Sequence, residues 1–420
     1  MRDLIILGLV AFAVIATLRK PIWGTLAWIF ISVSSLHQMG YATSILPIAL
    51  VIGICLLLSI LIHRSEYKFS WSNPLIWLAV FTIWMNITYL ASYSLEENYS
   101  MWLRVMKINF FLFVISGAIL TRRDIDLVIL TLVLALGFTG AKGGLFTLAT
   151  GGSYVVWGPG GFIGGNNEFA LALVMTIPLI YYLWYISDRR WVKHALLGMM
   201  FLCSVSVIGS QSRGALLAIS AMGIMLIAKS KHRLLLSLVT IGVIGIVLAI
   251  MPDAWYERMG TIRSYEEDRS AMGRINAWTM AFNLASDRIF GSSFENVTFD
   301  YFLKYGLDTE NMQGPHSIFF QILGQHGFIG LFLFLGMGVS AWRCASRVVR
   351  SSNKNSQNGM QNITLAEMTK ASLVGYAVGG AFLELAYFDM PYYLMLAIAK
   401  LDKLTGHTQS EQEGKRGVTP

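Results

Sequence analysis

Three residues of this chain have side chains suited to a group transfer, and two of them fall at the edges of apolar runs. His316 follows Pro315, where a long polar stretch gives way to Ser317-Ile-Phe-Phe320. An imidazole titrates near neutrality and is the commonest general base. A histidine at a helix start also serves as a cap or a packing contact. Arg213, in Ser210-Gln-Ser-Arg-Gly-Ala215, sits at the mouth of another apolar run. Its guanidinium is always charged and grips phosphate oxygens bidentately. An ionisable group at a membrane is a candidate for function; the plain alternative is an arginine snorkelling to the interface. Arg274 lies four residues before Trp278 on a segment of helical periodicity. Arg263 and Arg269 precede it, as further ligands for a substrate or as surface residues paired with Glu266, Glu267 or Asp268. Asn167 and Glu168 open a further apolar run and, with Trp278, are the remaining substrate-binding candidates. His326, ten residues past His316, falls about 15 Å deeper along a helix and is the less accessible histidine.

Several chemistries are missing from the sequence. No His-Glu-x-x-His, Cys-x-x-Cys or Walker Gly-x-x-x-x-Gly-Lys-Ser/Thr pattern occurs. The run Gly158-Pro-Gly-Gly-Phe-Ile-Gly-Gly165 follows a helix, whereas a nucleotide cradle follows a strand, so it reads as a flexible loop leading to Asn166. No clustered carboxylates suggest a divalent metal. The expectation is chemistry without a metal or a cofactor, with arginines taking any phosphate charge.

The elements that must carry these residues are membrane helices. The chain is 55% hydrophobic and 13% charged, with a mean hydropathy of +0.58; ordinary soluble domains carry about 25% charged residues. A span needs about 20 mostly apolar residues. Such runs lie near 4–18, 22–39, 44–62, 74–92, 102–120, 125–149, 168–186, 195–210, 213–228, 233–250, 317–342 and 367–388. A short piece at 391–400 follows Pro391. Lipid forces spans to be helical, because every backbone polar group must be paired internally. The predicted fold is an all-α polytopic membrane protein with about 12 transmembrane helices. It forms one integral domain over 1–402, followed by a polar, disordered tail at 403–420.

Charge sets the expected orientation. Arg64 and Lys68, Arg122 and Arg123, Arg189, Arg190 and Lys193, Lys229, Lys231 and Arg233, and Arg343, Arg347, Arg350 and Lys354 occupy short loops. The positive-inside rule places them in the cytoplasm, and their distribution accounts for the net charge of +8 without a nucleic-acid partner. By alternation the loops at 93–101, 150–167, 210–213 and 251–316 fall outside, and so does the N-terminus, with the first helix retained. The long loop carries six basic and ten acidic residues, a net charge of −4. Within it, Met272, Ile275, Trp278, Phe282 and Ala285 mark an amphipathic helix over 271–285. A weaker pattern joins Val297, Tyr301, Phe302 and Tyr305. Ser292 is expected to be accessible from the outer side. Cys55, Cys203 and Cys344 form no disulfide framework.

Short motifs in a fixed order then become informative. Asn167-Glu-Phe-Ala170, Ser212-Arg213-Gly214, Arg274 ahead of Ala277-Trp278, and Pro315-His316-Ser317 followed by Gly324-Gln-His-Gly-Phe-Ile-Gly330 resemble the O-antigen ligase family. The large loop between two late spans is similar too. The resemblance covers roughly 160–335 in motif and the whole chain in hydropathy. It implies a GT-C-like membrane glycosyltransferase of the bacterial inner membrane, with its large helical loop and active site in the periplasm. The implied partners are an undecaprenyl-pyrophosphate-linked glycan donor, a lipid A-core acceptor and the surrounding membrane lipids. The implied roles are His316 as general base and Arg213 and Arg274 as pyrophosphate ligands, with inversion at the anomeric carbon. Many members carry an acid where Gln325 stands, so an acid role at that position is not expected here.

Other readings share much of this pattern. O-antigen polymerases and protein O-oligosaccharyltransferases use the same donor. Polymerases often carry Arg-x10-Gly repeats in two large loops; none of Arg258, Arg263, Arg269, Arg274 or Arg288 has a glycine eleven residues on. A transporter or flippase would use charges in mid-span, for which Lys142, Glu384 and Asp389 are the candidates.

Overall fold

The computed structural model describes residues 2–35, 40, 43–229, 245, 269–294 and 298–416. Among them every regular element is helical. The helices are α1 (Arg2–Arg19), α2 (Pro21–Ser34), α3 (Ile48–Ile62), α4 (Asn73–Leu90), α5 (Leu95–Ser116), α6 (Arg122–Ala149), α7 (Asn166–Ile186), α8 (Arg190–Gly209) and α9 (Arg213–Lys229). After the loop come α10 (Arg269–Asp287), α11 (Phe299–Tyr305), α12 (Ile318–Ser351), α13 (Gln357–Gly380) and α14 (Asp389–Arg416). Five of them, α4, α6, α7, α8 and α12, are long and apolar enough to cross a membrane. The chain is a helical membrane protein. Helices α1 to α9 fall on the runs expected from hydropathy. The run at 233–250 lies almost wholly outside the described residues.

Packing follows from side-chain size. Helix α7 is the most enclosed span, with Phe169 to Met175 buried without a break. Helix α6 starts at a capping box, Thr121 with Asp124, which pairs backbone donors otherwise left open. Its glycines let α8 approach closely: a side chain at Gly144 would run into the Leu202 carbonyl. Small residues in such contacts are how helices associate in lipid, where apolar burial gives no net drive.

Of the boundaries that differ from expectation, three are the most informative. Helix α13 ends at Gly380, although the apolar run continues to 388. The segment 381–388 can leave helical geometry because side chains satisfy its backbone. Tyr376 donates to the Leu385 carbonyl at 2.9 Å, Tyr392 to the Ala386 carbonyl at 2.6 Å, and the Ala386 amide donates to Gln321 at 3.2 Å. Helix α12 runs on to Ser351, past the predicted end at 342, through the basic residues Arg343, Arg347 and Arg350. Helix α14 takes Pro391 in its first turn, where a missing amide proton costs nothing, and continues past Lys403 to Arg416.

Two features of the loop also differ. In α10 the fully buried face is Gly273, Asn276, Ala277, Met280, Ala281, Leu284 and Ala285. Ala277, Met280 and Leu284 pack on Tyr301, Phe302 and Tyr305 of α11. The stripe read from the sequence faces the other neighbour: Trp278 stacks on Phe320, and Phe282 meets Phe328 of α12 edge-on. The helix is held on two sides, which a single periodicity cannot express. Ser292 is not accessible; it is 2% exposed and its amide donates to the Gly324 carbonyl of α12 at 2.9 Å.

One end of the bundle collects the turns that matter. Asn166 Nδ2 donates to the Ser210 carbonyl, Gln211 Nε2 to the Gly152 carbonyl, and the Phe294 amide to Asn98 Oδ1. Ser32 near the end of α2 donates to Asp389 at the start of α14. The first three of these bonds join loops that charge alternation had assigned to one side. Basic residues of the short loops lie at the opposite end: Arg122 bonds Asn362 and Tyr182, and Arg347 bonds Asp402.

Candidate active site

The site is built around the turn that leads into α12. His316 is half-buried and has φ +40°, a left-handed conformation that residues with a Cβ adopt only at a cost. Such strain is of order 1–3 kcal/mol and persists where the surroundings over-determine it. Two elements do so here. Trp278 Nε1 of α10 donates to the Pro315 carbonyl at 2.6 Å, while its ring stacks on Phe320 with centroids 5.0 Å apart. From the linker between α13 and α14, Glu384 Oε1 accepts the His316 amide at 3.1 Å. Trp278, expected from the sequence to bind substrate, holds the histidine turn through the Pro315 carbonyl. Glu384, which hydropathy placed in mid-span, stands beside that turn.

Arg274 is half-buried, one helical turn before Trp278 on α10. Its neighbour Gly273 packs against Asn311 and Gln313, the residues leading to His316. Arg213 is the first residue of α9 and is also half-buried. The preceding turn is buried and fixed, with Ser212 Oγ accepting the Ala215 amide at 3.2 Å. Gly214 faces Phe382, two residues before Glu384. Gly214 and His316 thus border a common segment, 382–384, and α10 reaches the His316 turn through Trp278. A guanidinium at a helix N-terminus adds to the positive end of the helix dipole, so both favour an anion.

The remaining candidates are placed less centrally. Arg269 is exposed, and its Nη2 donates to the Glu310 carbonyl at 3.3 Å. Arg263 lies outside the described residues. Asn167 and Glu168 are half-buried in the first turn of α7, and a side chain at Gly165 would meet the Glu168 carboxylate. The bond that ties this helix to the Arg213 turn comes from Asn166, the residue before the pair singled out in the sequence. Nothing in its type or spacing separated it from Asn167. Among the described residues no group of three or more His, Cys, Asp or Glu could hold a metal ion.

His326 has a different environment. It is fully buried, with Nδ1 2.7 Å from Thr88 Oγ1 and Nε2 2.7 Å from the Tyr387 hydroxyl. Tyr387 donates to Gln325 Oε1, and each ring nitrogen of His326 has a hydroxyl partner, Nδ1 in Thr88 and Nε2 in Tyr387. Gln325 Nε2 donates to the Phe294 carbonyl at 3.1 Å. That bond needs an amide, since a carboxylate has no proton to give. Gly327, with φ +69° and ψ −174°, breaks the helix at the next residue. The carbonyls freed there are taken by the amides of Ser292 and Ser293, at 2.9 and 2.8 Å, and by Trp84 Nε1 at 2.8 Å. A side chain at 327 would also collide with the Ile289 carbonyl. His326 is part of the joint between the loop and the bundle.

The fold is that of a helical membrane protein in which the His316 turn, Glu384 and the backbone next to Arg213 and Arg274 border one another at one end of the bundle. Residues 198–335 match the model of a family described as O-antigen ligase. Residues 1–188 match a family of unknown function. No curated protein matches the chain. The segment that resembles the O-antigen ligase family, 198–335, contains Arg213, Arg274 and His316. Members of that family are membrane glycosyltransferase-like enzymes of the ligase or polymerase type.

Proposed function

We propose that the protein is an O-antigen ligase of the bacterial inner membrane. It would transfer an undecaprenyl-pyrophosphate-linked polysaccharide en bloc to the lipid A-core oligosaccharide at the periplasmic face. The observation that carries this reading is the His316 turn. A half-buried histidine is clamped by Trp278 and Glu384, beside the helix of Arg274 and the linker that meets the Arg213 turn.

In the proposed reaction an acceptor hydroxyl attacks the anomeric carbon of the donor. His316 removes the hydroxyl proton as the new glycosidic bond forms. The bond to the pyrophosphate breaks, and undecaprenyl pyrophosphate leaves with the electron pair. Arg213 and Arg274 stabilise the charge that develops on the leaving group, which is the transition-state electrostatics a transferase must supply. Attack opposite the leaving group inverts the anomeric centre. The −4 charge of the loop and the basic residues at the other helix ends favour a periplasmic site.

The experiment is a comparison of surface lipopolysaccharide from a deletion strain and its complemented parent. The ligase reading expects the polymer to stay on its lipid carrier in the deletion strain, with a bare lipid A-core. Unchanged lipopolysaccharide with a missing protein-linked glycan, or with shortened polymer, would move the assignment to a protein O-oligosaccharyltransferase or a polymerase.

A further inference from the structure

We propose that Glu384 is a positioning residue, whose carboxylate fixes the backbone from which the His316 imidazole acts. The proposal rests on the reading of His316 as general base. Four observations carry it.

The first is the strained backbone of His316, at φ +40°. A residue with a Cβ stays there only under constraint, and the His316 amide has its constraint in Glu384 Oε1, 3.1 Å away. A hydrogen bond to an ionised acceptor is about twice as strong as one between neutral groups. The second is the register of that bond. Ser317 is the N-cap of α12, so the helix's own open donors begin at Ser317. The His316 amide lies before them, and Glu384 therefore serves the turn and leaves the helix end to other groups. The third is Gly314. Any side chain there would run into the Glu384 carboxylate, so the incoming chain is shaped to the carboxylate on both sides of Pro315. The fourth is the rigidity of the platform. The two residues after Glu384 have their carbonyls held by Tyr376 and Tyr392, and the Ala386 amide is held by Gln321 of α12. A support that is itself fixed can transmit geometry to the group it orients.

The test uses the full-length chain in proteoliposomes with an undecaprenyl-pyrophosphate-linked glycan and lipid A-core. Rates and donor binding are measured for Glu384→Ala, Glu384→Gln and Glu384→Asp, alone and combined with His316→Ala. A misplaced catalytic group costs up to about 100-fold, so Glu384→Ala should lower kcat roughly 10- to 100-fold with the donor KM unchanged. Glu384→Gln keeps an acceptor oxygen at the same reach and should lie nearer the wild type than Glu384→Ala. Glu384→Asp, a methylene short, should be slower than Glu384→Gln. In the His316→Ala background, removing Glu384 should cost nothing further, because positioning is lost with the group positioned. If Glu384→Ala fails to insert, the order of Gln over Asp still decides. Normal turnover in Glu384→Ala, an additive loss in the double variant, or Glu384→Gln as slow as Glu384→Asp overturns the inference. A fast His316→Ala single variant would instead remove the base reading itself, and the inference with it.

Discussion

At the scale of single residues, charge and shape divide the work. Lysine is a point charge on a flexible stem, and it cannot reproduce the planar two-point grip of a guanidinium. Arg213→Lys and Arg274→Lys should therefore lose most transfer while the protein inserts and melts as before. The check is a transfer assay beside a thermal melt of the purified variants; a lysine variant with wild-type turnover contradicts the pyrophosphate assignment. His326 should behave in the opposite way. Its two ring nitrogens are committed to Thr88 and Tyr387 in a fully buried site. Removing one partner of a buried hydrogen bond costs about 1–3 kcal/mol. His326→Ala should lower yield and melting temperature, yet retain its turnover per folded molecule. A stable but inactive His326→Ala would show that the base role belongs there.

At the scale of elements, the structure turns on one broken helix. Gly327 interrupts α12, and the carbonyls it frees bind the segment that follows α10, so the loop is keyed into the bundle. Gly327→Ala must hold a Cβ at φ +69° and against the Ile289 carbonyl. A strain of about 1–3 kcal/mol is expected, read as a lower melting temperature and faster hydrogen exchange at Ser292 and Ser293. Unchanged exchange there would mean that the kink does not anchor the loop. The apolar runs made α1 to α9 legible in the sequence, because lipid leaves the chain no other structure. His316, Arg213 and Arg274 stood out as candidates because such side chains are rare beside apolar runs. Glu384 was misread as a mid-span charge because hydropathy cannot see that tyrosine hydroxyls and Gln321 satisfy the backbone of 381–388. The burial of Ser292 was equally hidden: its polar neighbours suggested water, and its partner is a carbonyl exposed by a glycine 35 residues later.

At the scale of the whole molecule, the polar turns share one end of the bundle, and Arg122 and Arg347 of the basic short-loop clusters lie at the other. Orientation can be tested with a cysteine at Leu307, which is 68% exposed on the loop, in a chain whose Cys55, Cys203 and Cys344 have been replaced. A membrane-impermeant thiol reagent should label it in cells permeable only at the outer membrane, whereas a cysteine at Ser292 should resist until the protein is denatured. Labelling of position 307 only after inner-membrane lysis contradicts the periplasmic assignment. The most direct measurement of the central claim is transfer by the purified chain in proteoliposomes supplied with lipid-linked glycan and lipid A-core in excess EDTA. The predicted result is en bloc transfer that persists in chelator. Removing a general base typically costs about 10²–10⁴-fold, so the rate should fall by that factor in His316→Ala while donor binding is retained. Near-normal turnover by His316→Ala, loss of donor binding in that variant, or activity that EDTA abolishes and Mg²⁺ restores would contradict it.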